Sequence, residues 1–267
     1  MVRINKGWFA LTLLAILFIS CGGGQRASVN VALSNYTDSC FVGAEGYKYD
    51  GFSVIPVVTV NNDTLDIGSY YYGPAYFEYY DEIPAIAQGS EVKVIIDYAE
   101  GKGEATDSMP GSFQITSPTS SFILHQGSDL NIEWDAAAGA DQYWMTLNLS
   151  YDYIDNSGYY DYFYYELDTI TEGTSITIPA ATIFPSYVDT VYYGYGDVYV
   201  EATSGPKMEP GAKGNFKGDA VGFLWCSAVG PEVGFGVEQI IQQTHSLDIK
   251  KIVKRHQEIL LKFAEEN

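Results

Sequence analysis

The sequence is poor in the side chains that most chemistry needs. Its 267 residues hold three cysteines, three histidines and 14 lysines and arginines, against 34 aspartates and glutamates. The histidines, His125, His245 and His256, stand far apart in the chain. There is no H-E-x-x-H, no G-x-S-x-G and no phosphate loop. Gly194-Tyr195-Gly196 and Gly234-Phe235-Gly236 lack the third glycine of a dinucleotide fingerprint and read as turns. A formal net charge of −20 repels phosphates and anionic head groups, which argues against a nucleic-acid partner. Carboxylates are abundant, yet nothing marks two of them as a hydrolytic pair. Asp152, Asp155, Asn156 and Asp161 surround a predicted hairpin turn and could offer oxygens to calcium. Their spacing is not that of an EF-hand loop, and ordinary turn chemistry accounts for them. No catalytic residue, metal ligand or cofactor site is expected, so the sequence reads as a binding protein and not an enzyme.

Helical periodicity is missing until the last residues, and strand patterns recur instead. Val29, Val31 and Leu33 alternate with Asn30, Ala32 and Ser34. The same period appears in Val92-x-Val94-x-Ile96, Leu130-x-Ile132-x-Trp134, Tyr143-x-Met145-x-Leu147-x-Leu149 and Val198-x-Val200-x-Ala202. Alternation at period two means strands with one buried and one solvated face, as in antiparallel sandwiches. Turn clusters such as Asn61-Asn62-Asp63 and Asp155-Asn156-Ser157-Gly158 separate the runs. The fold class expected is all-β.

The long apolar stretch is at the start. Arg3 and Lys6 precede an apolar run from Trp8 to Ile19, followed by Ser20, Cys21 and three glycines. The run is shorter than the roughly 20 residues that a membrane span needs. This arrangement resembles a bacterial lipoprotein signal. The resemblance implies that residues 1–20 are a signal peptide, that Cys21 is lipidated, and that residues 21–28 tether the protein to a membrane. Gly22 in place of Asp favours the outer membrane, on its periplasmic or outer face. With Cys21 taken by lipid, Cys40 and Cys226 remain. An exported compartment permits a bridge between them, and the alternative is two buried thiols, with Cys226 beside Trp225.

Met109-Pro110-Gly111 interrupts the strand pattern, and Ser117-Pro118 opens a new one. Residues 29–111 are expected to form a first β-sandwich and 112–236 a second. The second resembles a fibronectin type III or immunoglobulin-like domain in Ile115-Thr116-Ser117-Pro118, Leu130-x-Ile132-x-Trp134, Ala140-Asp141-Gln142-Tyr143 and Val198-x-Val200-x-Ala202. In residues 237–267, Ile249, Ile252, Val253, His256, Ile259, Leu260 and Phe263 recur at helical spacing. Ser246 as N-cap and Asp248 in the first turn predict an amphipathic helix of about five turns. That helix either packs on its own sandwich or docks on an envelope protein or a membrane surface.

Tyrosine is unusually frequent, with 23 copies. On a strand from Tyr159 to Tyr165, one face carries Tyr160, Tyr162 and Tyr164, the other Tyr159, Phe163 and Tyr165. A two-layer sandwich buries only one face of a strand. Exposed rings in a row suit stacking on a glycan or anchoring a protein partner. The competing reading is that tyrosine simply favours strands and lines edges and junctions. Tyr70–Tyr72, with Tyr76 and Tyr80, repeat the theme in the first unit.

Overall fold

The computed structural model describes residues 26–36, 38–65, 75–238 and 249–266. Cys21, Tyr70–Tyr72, His245 and Ser246 lie outside these residues. The first seven strands are β1 (Ala27–Asn35), β2 (Ser39–Tyr47), β3 (Val57–Val60), β4 (Asp63–Thr64), β5 (Tyr76–Pro84), β6 (Glu91–Tyr98) and β7 (Gly101–Ser108). The middle of the chain forms β8 (Ile115–Ser117), β9 (Ile123–Leu124), β10 (Leu130–Trp134), β11 (Gln142–Asp155), β12 (Tyr160–Thr171), β13 (Ser175–Ile178), the short helix α1 (Ala180–Ile183) and β14 (Val188–Ser204). The chain then forms β15 (Lys217–Gly218), β16 (Ala220–Val221), β17 (Leu224–Val229), β18 (Val233–Val237) and the helix α2 (Ile249–Glu266).

The chain is all-β, with two packed sandwiches and a C-terminal helix, as the alternation predicts. Each sandwich has its own core. In the first, Val31, Leu33, Val42 and Phe77 meet Val58, Val94 and Ile96. In the second, Met145, Leu147, Leu149, Tyr151 and Val200 meet Leu130, Ile132, Trp134 and Ile178. Full burial of each such side chain contributes about 1.5–3 kcal/mol.

The two sandwiches share one sheet. Its order is β12-β11-β14-β17-β1-β2-β5, and smaller sheets β15-β7-β6-β3-β4 and β13-β10-β8 close the two cores. Strand β14, 17 residues long, links them. Gly194 to Val198 pair with β18, and Glu201 to Ser204 pair with β17. Strand β17 then runs parallel to β1, with Leu33 opposite Cys226. The expected division at residue 111 therefore does not separate the two cores. Phe216, Ala220, Leu224 and Cys226, assigned to the second unit from the sequence, complete the first core. Strand pairing also begins earlier than expected, because Ala27 and Ser28 already pair with Ala220 and Val221.

The paired glycines are not turns. Gly194 and Gly196 lie inside β14, and Gly234 and Gly236 inside β18, where Gly196 faces Phe235. A Cβ on Gly196 would stand 2.3 Å from the Phe235 ring, so the strand has glycine where a neighbouring side chain crosses it closely.

Helix α2 covers the shared sheet on the face away from both cores. Val253, His256, Gln257, Leu260 and Leu261 are buried, at the i, i+3, i+4, i+7, i+8 spacing of one helical face. Leu260 joins Ala32, Trp144, Phe223 and Trp225 in a third apolar cluster. The helix packs on its own protein through these residues, while Ile259 of the predicted stripe is exposed. Trp144, Thr146, Tyr199 and Glu201, on strand faces expected to be solvated, are buried beside it.

Candidate binding face

Beyond the helix, the same outer face of β12, β11 and β14 is open. The hairpin joining β11 to β12 sets its register. Asp155 Oδ1 accepts from the backbone amides of Ser157 and Tyr159 at 2.8 and 2.9 Å, which fixes the turn. Asp155 is thus occupied by turn chemistry. Among the described residues, no three His, Cys, Asp or Glu side chains gather as a metal would require.

From that turn, antiparallel pairing places Tyr162 opposite Asp152, Tyr164 opposite Ser150, and Tyr160 opposite Ile154. Phe163 points the other way and stacks on Tyr151 in the core, with ring centroids 4.7 Å apart. Tyr160, Tyr162 and Tyr164 are 62%, 58% and 57% exposed. The three residues singled out in the sequence therefore share one open face.

A tyrosine pair on β14 joins them, which the sequence pattern did not indicate. The register of β11 on β14 shifts between Asp152 and Tyr153, so Asp152 faces Tyr193 while Tyr153 faces Val191. The skipped residue is Tyr192. A bulge of this kind re-aims a side chain, and here Tyr192 comes within 6.3 Å of the Tyr160 ring while Tyr193 stays exposed. The signal was the doublet Tyr192-Tyr193, but period-two reading puts its members on opposite faces.

The rings are held through their hydroxyls. Those of Tyr160 and Tyr193 converge on the Asp152 carboxylate, which pushes the Tyr160 pKa up to about 12 and raises that of Tyr193. Tyr164 donates to Asn148 Oδ1 at 3.0 Å and to Glu166 Oε2 at 3.3 Å. Tyr195 donates to Asp197. A central row of Asn148, Ser150 and Asp152 is thus flanked by tyrosines from both neighbouring strands.

Under the helix the same strands carry a buried ionic cluster. His256 Nδ1 lies 2.9 Å from Glu201 Oε2, and its Nε2 lies 3.0 Å from Thr146 Oγ1. Thr146 itself donates to Asp168 Oδ1 at 2.7 Å. Arg255 pairs with Glu166 and Asp168. Gln257 donates to Ser34 Oγ at 3.1 Å, and Ser34 donates to Glu201 Oε1 at 2.9 Å. Burial pushes the His256 pKa down, but the Asp168 and Glu201 carboxylates outweigh it and hold the pKa above the ordinary imidazole value. Burial likewise opposes the Asp168 charge, but His256, Thr146 and Arg255 hold its pKa below the carboxylate range. A hydroxyl, an imidazole and a carboxylate in sequence suggest a nucleophile with its base. Here Thr146 gives its proton to Asp168, the imidazole favours its charged form, and His256 and Glu201 are 1% and 2% exposed. This arrangement clamps a helix in place.

The two internal cysteines do not bridge. Cys40 and Cys226 are free, buried thiols of the first core. They sit on β2 and β17, on either side of β1, opposite Asn35 and Leu33. Two strand spacings separate their backbones by roughly 9–10 Å, beyond the roughly 7 Å that a disulfide can span.

Fold and face together define an all-β protein of two sandwiches on a shared sheet, with an open tyrosine surface at one end. Solved structures similar to it include fibronectin(III)-like modules of Clostridium thermocellum CbhA, 8% identical, with a TM-score of 0.27 and coverage of 82% of this chain and 99% of that one. Tandem Ig repeats of Dlar are 10% identical, with a TM-score of 0.25 and coverage of 78% and 99%. The Yersinia pseudotuberculosis adhesin InvE is 13% identical, with a TM-score of 0.23 and coverage of 80% and 61%. No family model and no curated protein matches the chain.

Proposed function

We propose that this protein is a non-enzymatic binding module, tethered through lipid on Cys21 to a bacterial envelope membrane, and that it engages its ligand on the tyrosine face of β12, β11 and β14. One observation carries the reading: five tyrosines, Tyr160, Tyr162, Tyr164, Tyr192 and Tyr193, are exposed on one face of three adjacent strands. Tyrosine is costly to leave bare in such a cluster, and exposed aromatic patches mark interaction sites. The sequence before Cys21 supports the anchor, with a basic segment, an apolar run and a small residue ahead of the cysteine. Anchoring at the N-terminus leaves the opposite end of the β12 hairpin free to reach outward.

The test is co-sedimentation of full-length protein, held in detergent so that its acyl chains do not decide the outcome, with delipidated envelope fragments from the cells that make it. Wild type should sediment, and Tyr160→Ala/Tyr193→Ala should remain in solution with its melting temperature preserved. Equal sedimentation of both proteins would move the binding site elsewhere.

A further inference from the structure

We infer that the ligand of the tyrosine face is a neutral polysaccharide strand, an inference that rests on the binding role proposed above. The dimensions come first. Tyr160, Tyr162 and Tyr164 alternate along β12, which spaces them roughly 6.7 Å apart at the rise of an antiparallel strand. Tyr193 stands across the central strand β11, roughly 10 Å from the β12 row at two strand spacings. The patch thus spans roughly 13 Å along β12 and roughly 10 Å across the strands, room for a short stretch of an extended chain.

The chemistry of the patch selects among ligands. Its rings alternate with polar groups, namely the hydroxyls themselves, Asn148, Ser150 and Asp152. A sugar ring offers the matching pattern, with C–H groups on its faces and hydroxyls around its edge. The faces can stack on tyrosine, and the edge can donate to the carboxylates and to the phenol oxygens, whose own protons are already engaged. A protein anchor would instead need a dry pocket at the centre of the surface, whereas the centre here is the polar row of β11.

Charge narrows the class further. Asp152 and Glu166 lie in the patch, and Arg255 at its margin is engaged by Glu166 and Asp168. A site of this sign disfavours phosphate, sulfate and uronate groups. A cationic ligand meets carboxylates that already accept from Tyr160 and Tyr193, or from Tyr164 and Arg255. Those bonds also hold the rings before any ligand arrives, which lowers the entropy lost on binding.

The experiment presents full-length protein in detergent to arrayed neutral gluco-, manno-, xylo- and galacto-oligosaccharides, to sulfated and uronate counterparts, and to a lysine-rich peptide. At least one neutral series should bind. Tyr160→Ala/Tyr193→Ala should weaken it by roughly tenfold or more, and Tyr160→Phe should retain more binding than Tyr160→Ala. Melting temperatures identify any variant that fails to fold, and Tyr162→Ala then serves as the second probe. Binding of only the charged glycans or the peptide, lost in the double variant, would overturn the neutral glycan while keeping the binding face. No binding to any probe, together with equal sedimentation of wild type and double variant on envelope fragments, would overturn both.

Discussion

His256 lies flat on Trp144, with ring centroids 4.2 Å apart and planes 15° from parallel. Its Nδ1 meanwhile reaches Glu201 at 2.9 Å. One side chain of the last helix is therefore both stacked and ion-paired on the sheet that joins the two sandwiches. Removing it should unfasten α2. In His256→Ala, the buried Glu201 loses its ion-pair partner, a situation that typically costs about 3–5 kcal/mol. Urea denaturation should show a loss of that order, and an unchanged midpoint would mean that the cluster is not what holds the helix.

Docking of α2 should depend on pH. The His256 pKa is raised, so its contribution is complete below the unfolded value of about 6.5 and fades as pH rises through the folded value. The Asp168 pKa is lowered, so its contribution is present above about 3.9 and fades as pH falls through the folded value. The groups facing His256 are Glu201 and Tyr199 from β14, Asp168 from β12 and Thr146 from β11, with Arg255 beside it on the helix. Trypsin cleavage after Lys254 and Arg255 reports the docked state. It should accelerate on the alkaline side, and a rate corrected for trypsin's own profile that stays flat from about pH 6 to pH 9 would contradict this coupling.

Gly196→Ala tests the junction of β14 with β18. The added methyl would press into the Phe235 ring, 2.3 Å away, and overpacking of this kind costs about 1–3 kcal/mol. A stability equal to wild type would show that Phe235 is free to move aside.

Cys40 and Cys226 should resist alkylation in the folded protein. Burial pushes the Cys40 thiol up to about 12 and raises the Cys226 thiol as well, and the thiol form is a poor nucleophile. Iodoacetamide should label both only after unfolding, without prior reduction. A non-reduced intact mass two hydrogens lighter would reveal a bridge.

Cys21→Ala should abolish acyl labelling and move the protein from the membrane to the soluble fraction. Two or more acyl chains hold a protein where one does so only marginally, so the change should be large. Unaltered membrane retention would refute the anchor.

Much of the fold was legible from alternation alone. The buried members of β6 and β10, and of β11 beyond Leu147, are the odd or even sets that period two assigns to one face, because a strand turns each second side chain to the same side. The Tyr160, Tyr162 and Tyr164 row followed from the same rule. Tyr192 and Tyr193 did not, since a bulge shifts the register by one residue and puts both on one side. The glycine pairs were misread for a related reason. Glycine marks a turn by its backbone freedom and a close crossing by its missing side chain, and only the partner, here Phe235, distinguishes the two.

By itself the sequence determined the all-β class, the amphipathic helix and the face on which three tyrosines stand. Those features depend on residues near one another in the chain, where a repeat of two or 3.6 fixes which side is apolar. Tertiary structure decided the rest. It set β17 beside β1, kept Cys40 and Cys226 two strands apart, and paired β14 of the second sandwich with β17 of the first. It also placed His256 against Glu201 and Trp144, and brought Tyr193 to Asp152. Each of these depends on which distant strands pair and in what register, and local periodicity carries no information about that choice.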